Sequence, residues 1–127
     1  MVKKIYVISF IIVVLDQILK NYFTNHEFFI FRYTLNTGAA FNLLRGWNTF
    51  LVVFGLIVIG VILYYRNNKK LEIGLGFLLG GTLSNVIDRL FFNGVIDYVH
   101  LFNNIFNLAD ICNIIGALIL VYHFSKE

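Results

Sequence analysis

Proline is absent from the chain, and cysteine occurs once, at Cys112. Without proline, no helix is expected to carry a proline kink. A single cysteine cannot close an internal disulfide, and neither a C-x-x-C pair nor a metal-ligand cluster is present. Cys112 sits in an apolar run with no histidine near it in sequence, so it reads as a small lipid- or core-facing residue and not as a thiol nucleophile. Charge is scarce too: 13% of residues are Asp, Glu, Lys or Arg, against about 25% in soluble domains. A Ser-His-Asp spacing, an H-E-x-x-H pair and a Gly-rich phosphate loop are all missing, which removes the chemistries that they carry. There is no internal repeat and no low-complexity tract.

What the chain has in quantity is apolar surface. It is 59% hydrophobic with a mean hydropathy of +0.80, whereas soluble domains are about 45–50% apolar. The solvent implied is lipid. A length of 127 residues is enough for one domain, and the composition leaves no room for a separate water-soluble one. The net charge of +3 is therefore no sign of nucleic-acid binding; in a membrane protein the placement of Lys and Arg matters more than their sum. Lys3-Lys4 followed by Ile5 to Leu15 imitates a secretory signal, but the run passes into Asp16-Gln17 with no small-residue cleavage site. It is expected to be an uncleaved first span.

Four stretches reach spanning length: Ile5 to Phe23, Trp47 to Tyr65, Leu71 to Leu90 and Leu108 to Phe124. If they alternate in direction, Lys3, Lys4, Arg66, Lys69, Lys70 and Lys126 share one side in short segments. Lys20, Arg32, Arg45 and Arg89 fall on the other, spread over longer ones. Positive charge in short loops marks the cytoplasm, so both termini are expected there. The fold class expected is an all-α membrane protein of four transmembrane helices with a small β-rich extracytoplasmic segment. The outer stretch Asn25 to Gly46 is aromatic (Phe28, Phe29, Phe31, Tyr33), suits the membrane–water interface and is partly strand-like, with Gly38 as a turn signal. Phe91 to Phe106 forms a second, shorter outer segment. Gly74, Gly76, Gly80 and Gly81 in the third span permit close helix–helix approach.

Carboxylates inside a membrane are costly and are functional candidates by default. Asp16 lies about 18 Å past Lys4, and Asp88 about 27 Å past Lys70, both moving outward along their helices. Asp110 opens the fourth span on the outer side, and Asp97 precedes it. In a hydrocarbon core about 30 Å thick, all four aspartates fall in the outer half or at its edge. Gln17, Lys20, Asn36, Thr37, Asn42, Asn85, Arg89, Asn107 and Asn113 collect at the same level. A polar cluster confined to one leaflet suggests chemistry or binding there and argues against a through-pore.

Each acid also has a purely structural role open to it. Asp16 and Lys20 stand at i and i+4, so a local ion pair accounts for them. Asp88, beside Arg89 and three residues after Asn85, suits a hydrogen-bonded helix end. Asn107 is a candidate N-cap of the fourth span, with Asp110 as its reciprocal partner at N3. Asp97 has no obvious local partner. His100 faces away from Asp97 if Val95 to Phe102 is extended and shares its face if that segment is helical; an interface role suits it better than a catalytic one. Two carboxyls held close share a proton, leaving one acid and one base able to drive water onto an amide carbonyl. The residues by themselves do not choose which two of the four aspartates form such a pair.

The motifs, taken in order, resemble those of signal peptidase II, the bacterial lipoprotein signal peptidase family. Asp16-Gln17-Ile18-Leu19-Lys20 is similar to the family's D-Q-x-x-K. Asn36-Thr37-Gly38-Ala39-Ala40-Phe41 is similar to N-x-G-A-A-F, and Asn85-Val86-Ile87-Asp88-Arg89 to N-x-x-D-R. Gly94-Val95-Ile96-Asp97-Tyr98 is similar to G-x-V-x-D-F with one position fewer between Gly and Asp, and Phe106-Asn107-Leu108-Ala109-Asp110 resembles F-N-x-A-D. Any one of these is weak alone; five in order along nearly the whole chain are specific. Departures are Ser84 in place of a usual Gly, Tyr98 in place of a usual Phe, and a short interval from Asp97 to Asp110.

The resemblance implies an intramembrane aspartyl endopeptidase that removes the signal peptide of a prolipoprotein before its diacylglyceryl-modified cysteine. It implies Asp97 and Asp110 as the catalytic dyad, with Asp16, Lys20, Asn36, Gly38, Asn85, Asp88, Arg89 and Asn107 in supporting or substrate-binding roles. No metal or organic cofactor is expected, since two carboxyls and a water suffice. The expected partners are the lipidated prolipoprotein and membrane lipid, with no nucleic acid, and the expected form is a monomer in the bacterial inner membrane with its site toward the outer leaflet. A proton- or ion-coupled small transporter is the alternative from another class, and a non-catalytic subunit packing through its Gly-rich helix is a third.

Overall fold

The computed structural model describes residues 3–39 and 43–127. Asn42 and the Ala40-Phe41 end of the second motif lie outside the described residues. The described residues form four helices and one antiparallel sheet: α1 (Lys4–Asn25), β1 (Phe31–Asn36), α2 (Asn48–Tyr64), α3 (Glu72–Phe92), β2 (Val95–Leu101), β3 (Asn104–Phe106) and α4 (Leu108–Ser125). Long runs of Ile, Val and Leu without proline satisfy their own backbone hydrogen bonds as helix, which lipid demands. Among the described residues α1, α3 and α4 are long and apolar enough to cross a membrane. The helix α2 is apolar but shorter, at 17 residues.

Helix α3 is the hub, packed against α1, α2 and α4. Its glycines make that possible. A Cβ on Gly76 or Gly80 would meet Ile8 at 2.9 Å or Ile12 at 2.7 Å on α1, and one on Gly74 would meet Leu120 at 2.9 Å on α4. The inside-out distribution of side chains fits a lipid solvent. Phe10 (69% exposed), Leu118 (64%) and Val121 (63%) point outward, while Asp16, Lys20, Asp88 and Asn107 are buried.

The two ends of the bundle differ. At one end Ile5, Ile62, Leu71, Leu75 and Leu79 form an apolar core, and Lys3 donates to Asn67 in the α2–α3 turn. At the other, the sheet in the order β1-β2-β3 closes over the helices. Thr34 is paired with Asp97 and Asn36 with Val95; on the other edge Val99 is paired with Phe106. Phe102 and Asn103, both at positive φ, make the two-residue turn between β2 and β3, as a primed hairpin turn requires. Asn93, at φ 58°, ends α3 in the left-handed conformation that asparagine tolerates. The segment 95–101 is extended, and His100 Nε2 lies 2.8 Å from Thr34 Oγ1 on the neighbouring strand.

Candidate active site

The expected site residues meet at the junction of the sheet with α1, α3 and α4. Asp97 comes from β2 and is 1% exposed; Asp110 comes from the first turn of α4 and is 5% exposed. The capping box read from the sequence is present: Asp110 N–H donates to Asn107 Oδ1 at 2.9 Å, and Asn107 N–H donates to Asp110 Oδ2 at 3.1 Å. The Asn107 side chain does more than cap. Its Nδ2 donates to Asp97 Oδ1 at 2.8 Å, so one residue holds both carboxyls.

Two further asparagines complete the set. Asn85 Nδ2 donates to Asp110 Oδ1 at 3.0 Å, and Asn36 Nδ2 donates to Asp97 Oδ2 at 2.9 Å. Each of the four carboxyl oxygens thus receives a donor from an asparagine. Asn36 is oriented by its own turn, where its Oδ1 accepts from Gly38 N–H at 2.8 Å. Gly38 has no room for a side chain: a Cβ there would run into the Leu43 carbonyl oxygen and lie 2.9 Å from Arg45 N. Arg89 donates from Nη2 to the Gly38 carbonyl at 2.9 Å, which ties this turn to α3.

Asp16 and Asp88 form a different unit. The pairing expected between Asp16 and Lys20 is there, at 2.7 Å, but Lys20 Nζ also reaches Asp88 Oδ2 at 3.0 Å. The bonds to Asp88 come from other elements and not from its own helix. Its remaining donors are Gln17 Nε2 at 3.0 Å and the backbone N–H of Ile96 at 3.0 Å. Two buried carboxylates around one ammonium hold together because each of their four oxygens has a donor. The unit touches the Asp97 and Asp110 pair through Asn85, whose Oδ1 accepts from Lys20 Nζ at 3.1 Å and from Asn107 Nδ2 at 3.1 Å.

Burial raises the Asp97 carboxyl to about 7, and the nearby Asp110 charge adds to the rise; Asn36, Lys20 and Asn107 oppose it. A carboxyl in that range holds a proton that it can still give up near neutrality. A cavity of about 180 Å³ opens beside Asp110, lined by Asn85, Arg89, Asn113, Thr82, Gly55 and Phe54 among others. A larger one, about 460 Å³, lies between α2, α3 and α4 at the Leu71–Tyr65 end and is lined mainly by apolar side chains. Of these two cavities the smaller is the one that borders Asp110. Among the described residues no group of three or more His, Cys, Asp or Glu is arranged to hold a metal ion.

Sequence reasoning passed over three polar side chains. Tyr98 and Ser84, noted only as departures, both bond Asp16. Asn48 donates to the Arg89 carbonyl at 3.3 Å and to Asn93 Oδ1 at 2.9 Å. A buried hydroxyl or amide in an apolar run was the available signal, since such groups are rarely left without partners.

Comparison with known proteins adds a lineage. The family model described as signal peptidase (SPase) II matches residues 8–126. A lipoprotein signal peptidase of Clostridium novyi (strain NT) is 34% identical over 137 residues, covering 91% of this chain and 93% of that protein. One of Shouchella clausii (strain KSM-K16) is 39% identical over 111 residues, covering 82% and 67%. Among solved structures, a bacterial membrane enzyme determined by the in meso method at 2.3 Å resolution matches in fold, with a TM-score of 0.84 at 24% identity over 96% of this chain and 87% of that one.

Proposed function

The chain belongs to the signal peptidase II family, and on that premise we propose that it is an intramembrane aspartyl endopeptidase with Asp97 and Asp110 as its dyad. Its substrate is a prolipoprotein, cut before the diacylglyceryl-modified cysteine. The observation that carries this reading is Asn107, which brings the two carboxyls to one point and gives each a donor. Asp97, raised to about 7, keeps the shared proton. Asp110 takes a proton from a water as its oxygen attacks the scissile carbonyl, while Asp97 protonates the carbonyl oxygen. The C–N bond of the tetrahedral diol then breaks: Asp110 gives its proton to the departing amine, and Asp97 takes one back from a diol hydroxyl, so the water is spent and the dyad is restored.

The other residues support this chemistry. Asn36, Asn85 and Asn107 orient the carboxyls, and Gly38 shapes the turn that presents Asn36. Lys20 with Asp16 and Asp88 forms a buried anchor beneath them, and Arg89 lines the cavity that receives the peptide. The whole chain is one membrane domain with α2 as a fourth span, both termini cytoplasmic and the site at the outer leaflet of the bacterial inner membrane. Basic residues in the short segments at the Lys3–Asn67 end support that orientation. The enzyme works as a monomer and needs no metal or organic cofactor.

The test is cleavage of a diacylglyceryl-modified prolipoprotein by purified protein in detergent, beside Asp97→Asn and Asp110→Asn. Cleavage by the wild type, lost by about a thousandfold or more in both folded variants, is the expected result. A folded wild type that leaves the substrate intact refutes the peptidase reading.

A further inference from the structure

Two hydroxyls with no place in the proton transfers end on the same buried carboxylate. Asp16 Oδ1 accepts from the Tyr98 hydroxyl at 2.7 Å, and Asp16 Oδ2 accepts from Ser84 Oγ at 2.7 Å. The Tyr98 oxygen in turn accepts the backbone N–H of Leu108 at 2.9 Å. Leu108 is the first residue of α4, and an N–H at that position has no partner inside its own helix. Tyr98 is 2% exposed, and Asp16 and Ser84 are 0% exposed, so bulk water does not stand in for these bonds.

The directions of the bonds are mutually consistent. Lys20 Nζ lies 2.7 Å from Asp16 Oδ2, so Asp16 faces a cation and serves as an acceptor. Tyr98 must then donate to it, which leaves a lone pair on the phenolic oxygen for Leu108. Tyr98 directly follows Asp97 in β2, and Leu108 precedes Asp110 by two residues. A single hydroxyl therefore joins the strand that carries one carboxyl to the helix that carries the other, and ties both to α1. Phenylalanine would fill the same space and leave the Leu108 N–H and one Asp16 oxygen short of a partner. Tyr98 and Ser84 are also two of the positions at which the sequence departs from the motif set.

We propose that Tyr98 is a positioning residue of the peptidase: its hydroxyl, with Ser84 as the second donor to Asp16, sets the spacing of Asp97 and Asp110. The proposal rests on the aspartyl peptidase reading above. Because Tyr98 acts through the placement of the dyad, its loss should reach turnover and leave substrate binding alone.

The experiment uses the full chain in detergent, as wild type, Tyr98→Phe and Ser84→Ala. It measures kcat and KM on the lipidated prolipoprotein and, separately, amide hydrogen exchange at the start of α4 by mass spectrometry. For Tyr98→Phe, kcat should fall about tenfold with KM held within about twofold. Exchange at the start of α4 should quicken about tenfold while the remaining helices stay protected. Ser84→Ala should give a smaller loss of the same kind, and it carries the test if Tyr98→Phe does not fold. A wild-type kcat in the folded variants overturns the proposal even if their melting temperatures drop, and so does a loss that resides in KM alone. A wild type that cleaves nothing overturns the peptidase reading and the catalytic part of the proposal with it. The clamp is then decided by exchange, which must quicken in Tyr98→Phe for it to stand.

Discussion

Asn107 offers the sharpest test of the site because its two ends do different work. Its Oδ1 caps α4 by accepting from Asp110 N–H at 2.9 Å. Its Nδ2 faces three acceptors: Asp97 Oδ1 at 2.8 Å, Asn85 Oδ1 at 3.1 Å and the Ile96 carbonyl at 3.3 Å. Replacement by Ser keeps a cap and removes the Nδ2 donor, whereas Ala removes both. The lost cap is worth about 1 kcal/mol, so Ala should be less stable than Ser by about that amount. Both should lose turnover to a similar degree, about 10- to 100-fold, since each deprives Asp97 of a donor. Asn107→Asp is the telling variant. It preserves the cap, yet it turns the Nδ2 position into an oxygen against three other oxygens. Whenever Asp97 is ionised, the two like charges 2.8 Å apart repel by about 6 kcal/mol at an effective dielectric of about 20. Uptake of a further proton relieves most of that, which spares the fold but spoils the single shared proton of the proposed dyad. Turnover should fall by about a hundredfold or more with α4 intact. The assay is cleavage rate per folded molecule, beside thermal unfolding followed by circular dichroism in the same detergent. Activity that tracks stability across Ser, Ala and Asp, or near wild-type turnover in Asn107→Asp, would refute the assigned role.

Cleavage should lose its rate on the alkaline side of about pH 7, where Asp97 gives up its proton, by about tenfold per pH unit; a rate flat to pH 9 contradicts this. Stability should move the same way: an unfolded aspartate titrates near about 3.9, so the folded chain binds the extra proton between there and about 7. The contribution is complete below the lower value and lost as pH rises through the upper one, and Asp97→Asn should flatten that part of the melting profile. Lys20→Met strands two buried carboxylates that share one ammonium and should cost about 3–5 kcal/mol, read as a lower unfolding midpoint; an unchanged midpoint would mean that the Asp16–Lys20–Asp88 unit is not a stabilising anchor.

Local patterns were legible in the sequence. Apolar runs without proline specify helices in a lipid solvent, because every backbone group must then be satisfied within its own segment. The Asn107–Asp110 box and the Asp16–Lys20 pair follow from helical spacing of three and four residues, which any helix brings together. The family was legible as well, in five motifs held in order. What tertiary structure alone decided is which polar groups share a partner. Asn36 reaches Asp97 across 61 residues, and Tyr98 reaches Asp16 across 82. Those meetings depend on the register of β1 against β2 and on how closely α1 and α4 approach the glycines of α3. Four aspartates at one depth look alike along the chain. Packing divides them, giving Asp16 and Asp88 a common lysine and leaving Asp97 and Asp110 to three neutral amides. The physical reason is that a charge takes its character from its three-dimensional neighbours, which sequence spacing reports only within a turn or two of helix.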